Sequence, residues 1–185
     1  MRQSGYTELD GLWDEDVARA LADEAERLWP SAQPQTHAHP RRGRPGTGQF
    51  LGATGPVVQN LCLAMASIAR GCSGQVLAPF EAGYSYYKGD DELFLHVDPV
   101  DFILTTGVLG NLGPLHIHPD LEGLALDELA QIEADPTWDR TSGQPITYPK
   151  LGVTALYGRL IPHHRPGCML GEVGAVALFA YRKCY

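Results

Sequence analysis

From residue 75 to the C-terminus the sequence is a succession of short apolar runs, each ended within a few residues by Gly, Pro or Asp. The runs fall at residues 75–80, 84–87, 93–97, 102–108, 115–118, 146–148, 153–161 and 176–181. None is long enough for a helix of ordinary length, and many short strands punctuated by turn residues close into a sandwich or barrel. A helical period interrupts them once, over residues 120–134, where Leu121, Leu124, Leu129 and Ile132 recur on one side. Ahead of residue 75 the texture differs. Asp14, Glu15 and Asp16 open a helical pattern through Val17, Leu21, Ala25 and Leu28 that stops at Pro30. Pro56 opens a second, with Val57, Val58, Leu61, Met65 and Ile68 on one face and Gly71 as its cap. Residues 31–49, rich in Pro, Gly, Gln and Arg, read as a loop. The expected architecture is mainly β (α+β), a jelly-roll core with N-terminal helices packed on it. The 185 residues form one domain, with residues 1–75 as helical support and loop and residues 76–185 as the core.

Charge narrows the function. With 14 Lys+Arg against 22 Asp+Glu the net charge is -8, which repels phosphate backbones and anionic lipid surfaces. Neither a nucleic acid nor a membrane is the expected partner. Residues 31–80 hold no acid but carry Arg41, Arg42, Arg44 and Arg70, so a local anion-binding patch stays open. Cys62, Cys72, Cys168 and Cys184 make no CxxC pair and no dense framework, and the N-terminus lacks the apolar run of a signal peptide. The expected setting is cytoplasmic.

Chemistry concentrates around the histidines. The glycines of residues 43–50 have the spacing of a phosphate-binding loop, but the Lys and Ser/Thr that hold phosphate and Mg²⁺ are missing. His37 and His39 lie in the polar loop and read as solvated. His96-Val97-Asp98 is different. Alternate residues of a strand share a face, so its imidazole and carboxylate can grip one ion. With one distant His they make the two-His-one-carboxylate set that suits Fe(II) and leaves positions open. Tyr87 precedes this motif, Gly113 to His118 follow it as a turn and a strand, an apolar strand runs into His163 and His164, and a last one ends in Arg182.

That order resembles the Fe(II)/2-oxoglutarate-dependent oxygenases, nearest to their prolyl-hydroxylase-like and AlkB-like branches, over residues 76–185. The resemblance implies a double-stranded β-helix. It implies His96 and Asp98 as metal ligands, with His163 as the third and His164 as the alternate. Tyr87 and Arg182 would hold the far carboxylate of 2-oxoglutarate, with Arg159 as the second candidate cation, because the family's usual cation position holds Glu172 or Val173 here. His116 and His118 would line the cleft against substrate. The implied cofactors are Fe(II) and 2-oxoglutarate. The implied activity is hydroxylation, desaturation or cyclisation of a small molecule such as an amino acid or a natural-product intermediate. Asp98, being a carboxylate rather than Gly or Ala, disfavours a halogenase. Two other readings stand beside this one. Gly110, His116, His118 and Glu122 match the spacing of a cupin metal motif, and a jelly roll can also be a non-catalytic binding protein. A homodimer is the expected assembly, since small jelly rolls pair through edge strands or a helical layer.

Overall fold

The computed structural model describes residues 5–34, 51–88, 91–110, 112–166 and 173–185. Most of the loop at 31–49, with His37, His39, Arg41, Arg42 and Arg44, lies outside the described residues, as does Cys168. In chain order the elements are β1 (Tyr6–Leu9), α1 (Glu15–Leu28), β2 (Gln33–Pro34), β3 (Leu51–Ala53), α2 (Pro56–Ala64), α3 (Ala66–Ser73), β4 (Leu77–Lys88), β5 (Leu93–His96), β6 (Phe102–Leu109), β7 (Leu115–Ile117), α4 (Leu126–Ala134), β8 (Gln144–Ile146), β9 (Val153–Leu156), β10 (His163–Arg165) and β11 (Val173–Lys183).

Two antiparallel sheets face each other. The larger runs β1-β9-β6-β11-β4-β3-β2 and the smaller β5-β10-β7-β8. Strands β4 to β11 supply four to each sheet, which is the jelly roll, while β1, β2 and β3 only widen the larger sheet. Its central strand β11 is covered on both faces, so it reads as a nearly unbroken apolar run. Ala175, Ala177, Phe179 and Tyr181 pack with Leu21, Ala25, Val58, Cys62 and Met65 of the helices. Ala180 of the same strand packs with Ile103, Leu115, Ile117, Ile146 and Ile161, between the sheets.

Several boundaries depart from the sequence pattern. The runs at 75–80 and 84–87 are one strand, β4, held continuous by pairing with β11 along its whole length. The second helix is two, broken at Met65, and ends on Gly74 at φ +66° rather than on Gly71, because Gly74 adopts the left-handed cap conformation. The helix expected at 120–134 is a short 3₁₀ turn followed by α4. The run at 153–161 stops at Leu156, and a separate three-residue strand, β10, carries the histidine pair.

Glu24 ties the helical layer together. It lies on the apolar side of α1, is almost fully buried, and accepts from the Val57 and Val58 amides at 3.0 Å each and from the Tyr84 hydroxyl at 2.8 Å. A carboxylate thus caps the N-terminus of α2 from a different helix. Burial and the Glu24 charge push the Tyr84 hydroxyl well above its ordinary pKa, keeping it a donor.

The outer face of the smaller sheet is closed by residues 118–143, the connection from β7 to β8. Beneath it His116, His118 and His164 are buried in a stack with Trp138. His164 bonds the Arg140 carbonyl through Nε2 at 2.9 Å and meets His118 Nε2 through Nδ1 at 2.9 Å. His116 bonds the Ser142 carbonyl through Nδ1 at 2.9 Å. A carbonyl only accepts, so His164 carries its proton on Nε2 and offers Nδ1 to the N–H of His118. Burial holds both His118 and His164 below their ordinary values, His164 down to about 4.

Two outcomes follow. Glu24→Ala leaves two amides and a hydroxyl without their acceptor and lowers unfolding stability by about 3 kcal/mol in urea titration. A histidine depressed in the folded state binds fewer protons there than in the unfolded chain. Its stability contribution is therefore complete above pH 6.5 and lost as pH falls toward 4. In chelator, His164→Gln loses less stability than the parent chain across that window, read as the difference in urea midpoint at each pH.

Candidate metal centre

Strand β5 ends in His96, and β10 begins with His163 directly opposite it in the antiparallel register. Side chains opposite each other on one face lie within contact distance, and the two rings stand 4.4 Å apart, centre to centre. Asp98 follows two residues after His96 and turns back into the same space. Its Oδ1 lies 3.6 Å from His96 Nε2 and its Oδ2 3.4 Å from His163 Nε2. The three donor atoms lie within 4.8 Å of one another, the one set of three His, Cys, Asp or Glu donors so grouped among the described residues. Adjacent ligands held about 2.1 Å from one ion stand about 3 Å apart, so this set needs only a slight contraction to close on a metal.

The imidazoles are also oriented for ligation. His96 Nδ1 faces the Phe94 carbonyl at 2.6 Å, and His163 Nδ1 faces that of Ile161 at 2.9 Å. Each ring donates its Nδ1–H backwards along its own strand and turns the Nε2 lone pair inward, as metal-bound histidines do. His163 is buried. Its burial, then the charge of His96, push it down to about 4, so it is a neutral donor at ordinary pH. At His96 burial also opposes the charged form, but the hydrogen bond and charge of Asp98 outweigh it and hold the pKa above its usual value. A metal ion entering here displaces that proton.

Of the two histidines on β10, alternation brings His163 inward and turns His164 outward, into the stack under Trp138. His116 and His118 share that outer face, so they do not line the cleft. The cupin set does not assemble either, since Glu122 is exposed on the turn after β7 while both histidines are buried behind Trp138.

The cation placements also change. Arg182 lies outside, its guanidinium 3.4 Å from the ring centre of the exposed Phe80. Arg159 is more than half exposed and faces Asp101 at 3.3 Å and the Pro99 carbonyl at 2.7 Å. Among the described residues, the buried cation near the candidate donors is Arg165, two residues after His163 on β10. Its guanidinium sits 4.7 Å from the ring centre of Tyr87 and 5.6 Å from that of Tyr148, and it donates to the Tyr148 hydroxyl. Tyr87, Leu112 and Val176 form the buried apolar wall around it, with Leu93 and Tyr148 packed on. Sequence reasoning missed Arg165 and Tyr148. The signal was there in the alternation of His163 and Arg165, once β10 is recognised as a strand.

No family model matches the chain, and no curated protein matches it. Solved structures do. The non-haem α-ketoglutarate-dependent carbocyclase SnoK of nogalamycin biosynthesis superposes at TM-score 0.71 with 14% identity, over 98% of this chain and 81% of its own. A prolyl-4-hydroxylase from Pseudomonas putida gives 0.65 at 13%, over 100% and 95%. HygX from Streptomyces hygroscopicus, solved with nickel, 2-oxoglutarate and hygromycin B, gives 0.66 at 14%, over 100% and 85%. These likenesses establish the fold: the chain is a double-stranded β-helix of the kind found in 2-oxoglutarate-dependent oxygenases.

Substitution separates the two histidine groups. Titrated with Co(II) under nitrogen, His96→Ala and His163→Ala lose affinity by more than about a hundredfold, whereas His164→Ala and His116→Ala bind as the parent chain does.

Proposed function

We propose that the protein is a non-haem, Fe(II)- and 2-oxoglutarate-dependent oxygenase acting on a small molecule. The observation that carries this reading is one face of the smaller sheet holding both a two-His-one-carboxylate set and, two residues further along β10, a buried arginine. His96, Asp98 and His163 would hold the metal. Bound there, such an ion would supply the oxygen chemistry, with O₂ as the oxidant that takes two electrons from 2-oxoglutarate, leaving succinate and CO₂, and two from the substrate.

The chain's own contributions are ligation, orientation and dryness. His163 presents a neutral Nε2, and His96 would do so once a metal has displaced its proton; each ring is fixed by a backbone carbonyl behind it. Arg165 offers a planar fork to the far carboxylate of 2-oxoglutarate, a match that a flexible Lys would not make. Tyr87 and Tyr148 hold that fork from two sides and keep water off it, which strengthens the ion pair formed there. On this reading Tyr87 would lie beside the cosubstrate, as the resemblance implies, and Arg165 would take the part first given to Arg182 and Arg159.

The net charge of -8 argues against a nucleic acid. SnoK and HygX are named or solved with natural-product molecules, and that is the substrate class proposed here.

Arg165→Gln tests the reading. It keeps Co(II) affinity within about threefold, because no ligand is lost, and lowers 2-oxoglutarate affinity about a hundredfold, the worth of a buried charge-assisted pair. Calorimetry of the Co(II)-loaded protein with 2-oxoglutarate measures both. Unchanged 2-oxoglutarate affinity removes Arg165 from the site, and no metal binding by the parent chain removes the function.

A further inference from the structure

Two of the three metal donors stand on strands, and the third does not. Strand β5 ends at His96, and residues 97–101 cross to β6 outside any ladder. Asp98 therefore has no sheet to fix it. What fixes it is the turn of residues 157–161 that follows β9.

The turn grips the loop at residues 98, 99 and 101. The Asp98 amide donates to the Gly158 carbonyl at 2.8 Å. Arg159 donates to the Pro99 carbonyl at 2.7 Å and pairs with Asp101 at 3.3 Å. Asp101 is in turn tied to β11, its amide donating to the Tyr181 carbonyl at 3.1 Å and its carboxylate accepting from the Lys183 amide at 2.9 Å. The turn itself is closed by the Leu160 and Ile161 amides on the Tyr157 carbonyl, at 3.1 and 3.0 Å.

Gly158 makes the closest approach. A Cβ placed there would stand 2.8 Å from Asp98 Oδ2, 3.0 Å from its Cβ and 3.3 Å from its Cγ. Gly158 does not have a positive φ, so its backbone would accept Ala without strain. What excludes a side chain is the Asp98 carboxylate itself, resting against the glycine.

We propose that this turn positions the carboxylate ligand, with Gly158 setting where the Asp98 carboxylate lies and Arg159 holding the loop that carries it. The same turn leads directly into β10, so Asp98 and His163 are placed by one piece of backbone. Both are positioning residues, and neither touches the metal or its ligands' donor partners other than through Asp98. The inference rests on the metal reading of His96, Asp98 and His163.

Anaerobic Co(II) titration of the full chain tests it, with three readings per variant: dissociation constant, visible ligand-field spectrum, and urea midpoint of the metal-free protein. Gly158→Ala is expected to weaken Co(II) about tenfold or more and to alter the spectrum of the complex, as displaced supporting contacts do. Arg159→Ala is expected to weaken it about threefold. Arg159 is exposed and serves as the probe should Gly158→Ala fail to fold. Charge alone predicts the opposite sign, since removing a nearby cation favours a divalent ion. Arg182→Ala, which removes an equal charge from a side chain that stacks on Phe80 rather than on the turn, leaves affinity and spectrum as in the parent chain. Parent-like affinity and spectrum in both turn variants would overturn the proposal, as would a weakening that only tracks a lowered metal-free midpoint with the spectrum unchanged. If the parent chain binds no Co(II), or His96→Ala binds it equally well, the metal reading itself fails and this inference falls with it.

Discussion

The register of β10 against β5 is the constraint on which the site depends. His163 stands opposite His96, the register shifts before Arg165 meets Leu93, and Arg165 returns to the side of Tyr87 while His164 turns to the other face. A slip of one residue would exchange them, presenting His164 to the metal face and turning both His163 and Arg165 outward. A strand of three residues has few ladder bonds to resist such a slip. Resistance comes from both sides of the sheet at once. Inside, Ile117 and Ile161 belong to the core between the sheets. Outside, His164 is held by His118 and by the Arg140 carbonyl. The outer histidines thus brace β10 from the side away from His96 and Asp98, and the inner apolar contacts hold it from the other.

The larger sheet gives the smaller one something to close against. With helices on one face and the smaller sheet on the other, its central strand β11 is shielded from water along most of its length. The helices need their own anchor, and Glu24 supplies it with a buried charge satisfied by two amides and a hydroxyl. The connection between β7 and β8 performs the matching service for the smaller sheet. Its α4 sends Glu133 to the amide of Leu95 at 3.3 Å, on the edge strand next to His96, and its loop pairs Arg140 with Glu92 just ahead of that strand. An edge strand bearing a metal ligand would otherwise be the loosest part of the sheet.

Around the candidate site the chain divides its labour by depth. The two histidines lie on paired strands, Asp98 lies on a loop clamped by a turn, and Arg165 lies deeper, between two tyrosine rings. An arginine so enclosed is pre-ordered, and little further freedom is lost when a carboxylate arrives. Under the proposed function, a small dicarboxylate would reach a metal at His96, Asp98 and His163 with one end and the guanidinium with the other.

The elements legible in the sequence were those with local causes. Short apolar runs between turn residues marked the strands, Asp14 and Pro56 marked two helix starts, and His96-Val97-Asp98 marked a candidate ligand pair, although the strand ends at His96 and a loop rather than strand alternation brings Asp98 beside it. The rest was decided by pairing between distant segments. Only contact with β11 makes one strand of the two runs in β4. Only the pairing of β10 chooses His163 over its neighbour, since adjacent residues are equivalent until a face is buried. The cation was misplaced for the same reason. Arg182 and Arg159 sit at strand ends that look suitable in a linear reading, and the sheet turns one onto Phe80 and the other toward Asp101. Composition and spacing thus determined by themselves that this chain would be a jelly roll with candidate ligating residues near His96. Which residues meet around that point was left to tertiary structure, because strand register is fixed by burial on both faces of a sheet and not by any property of the strand itself.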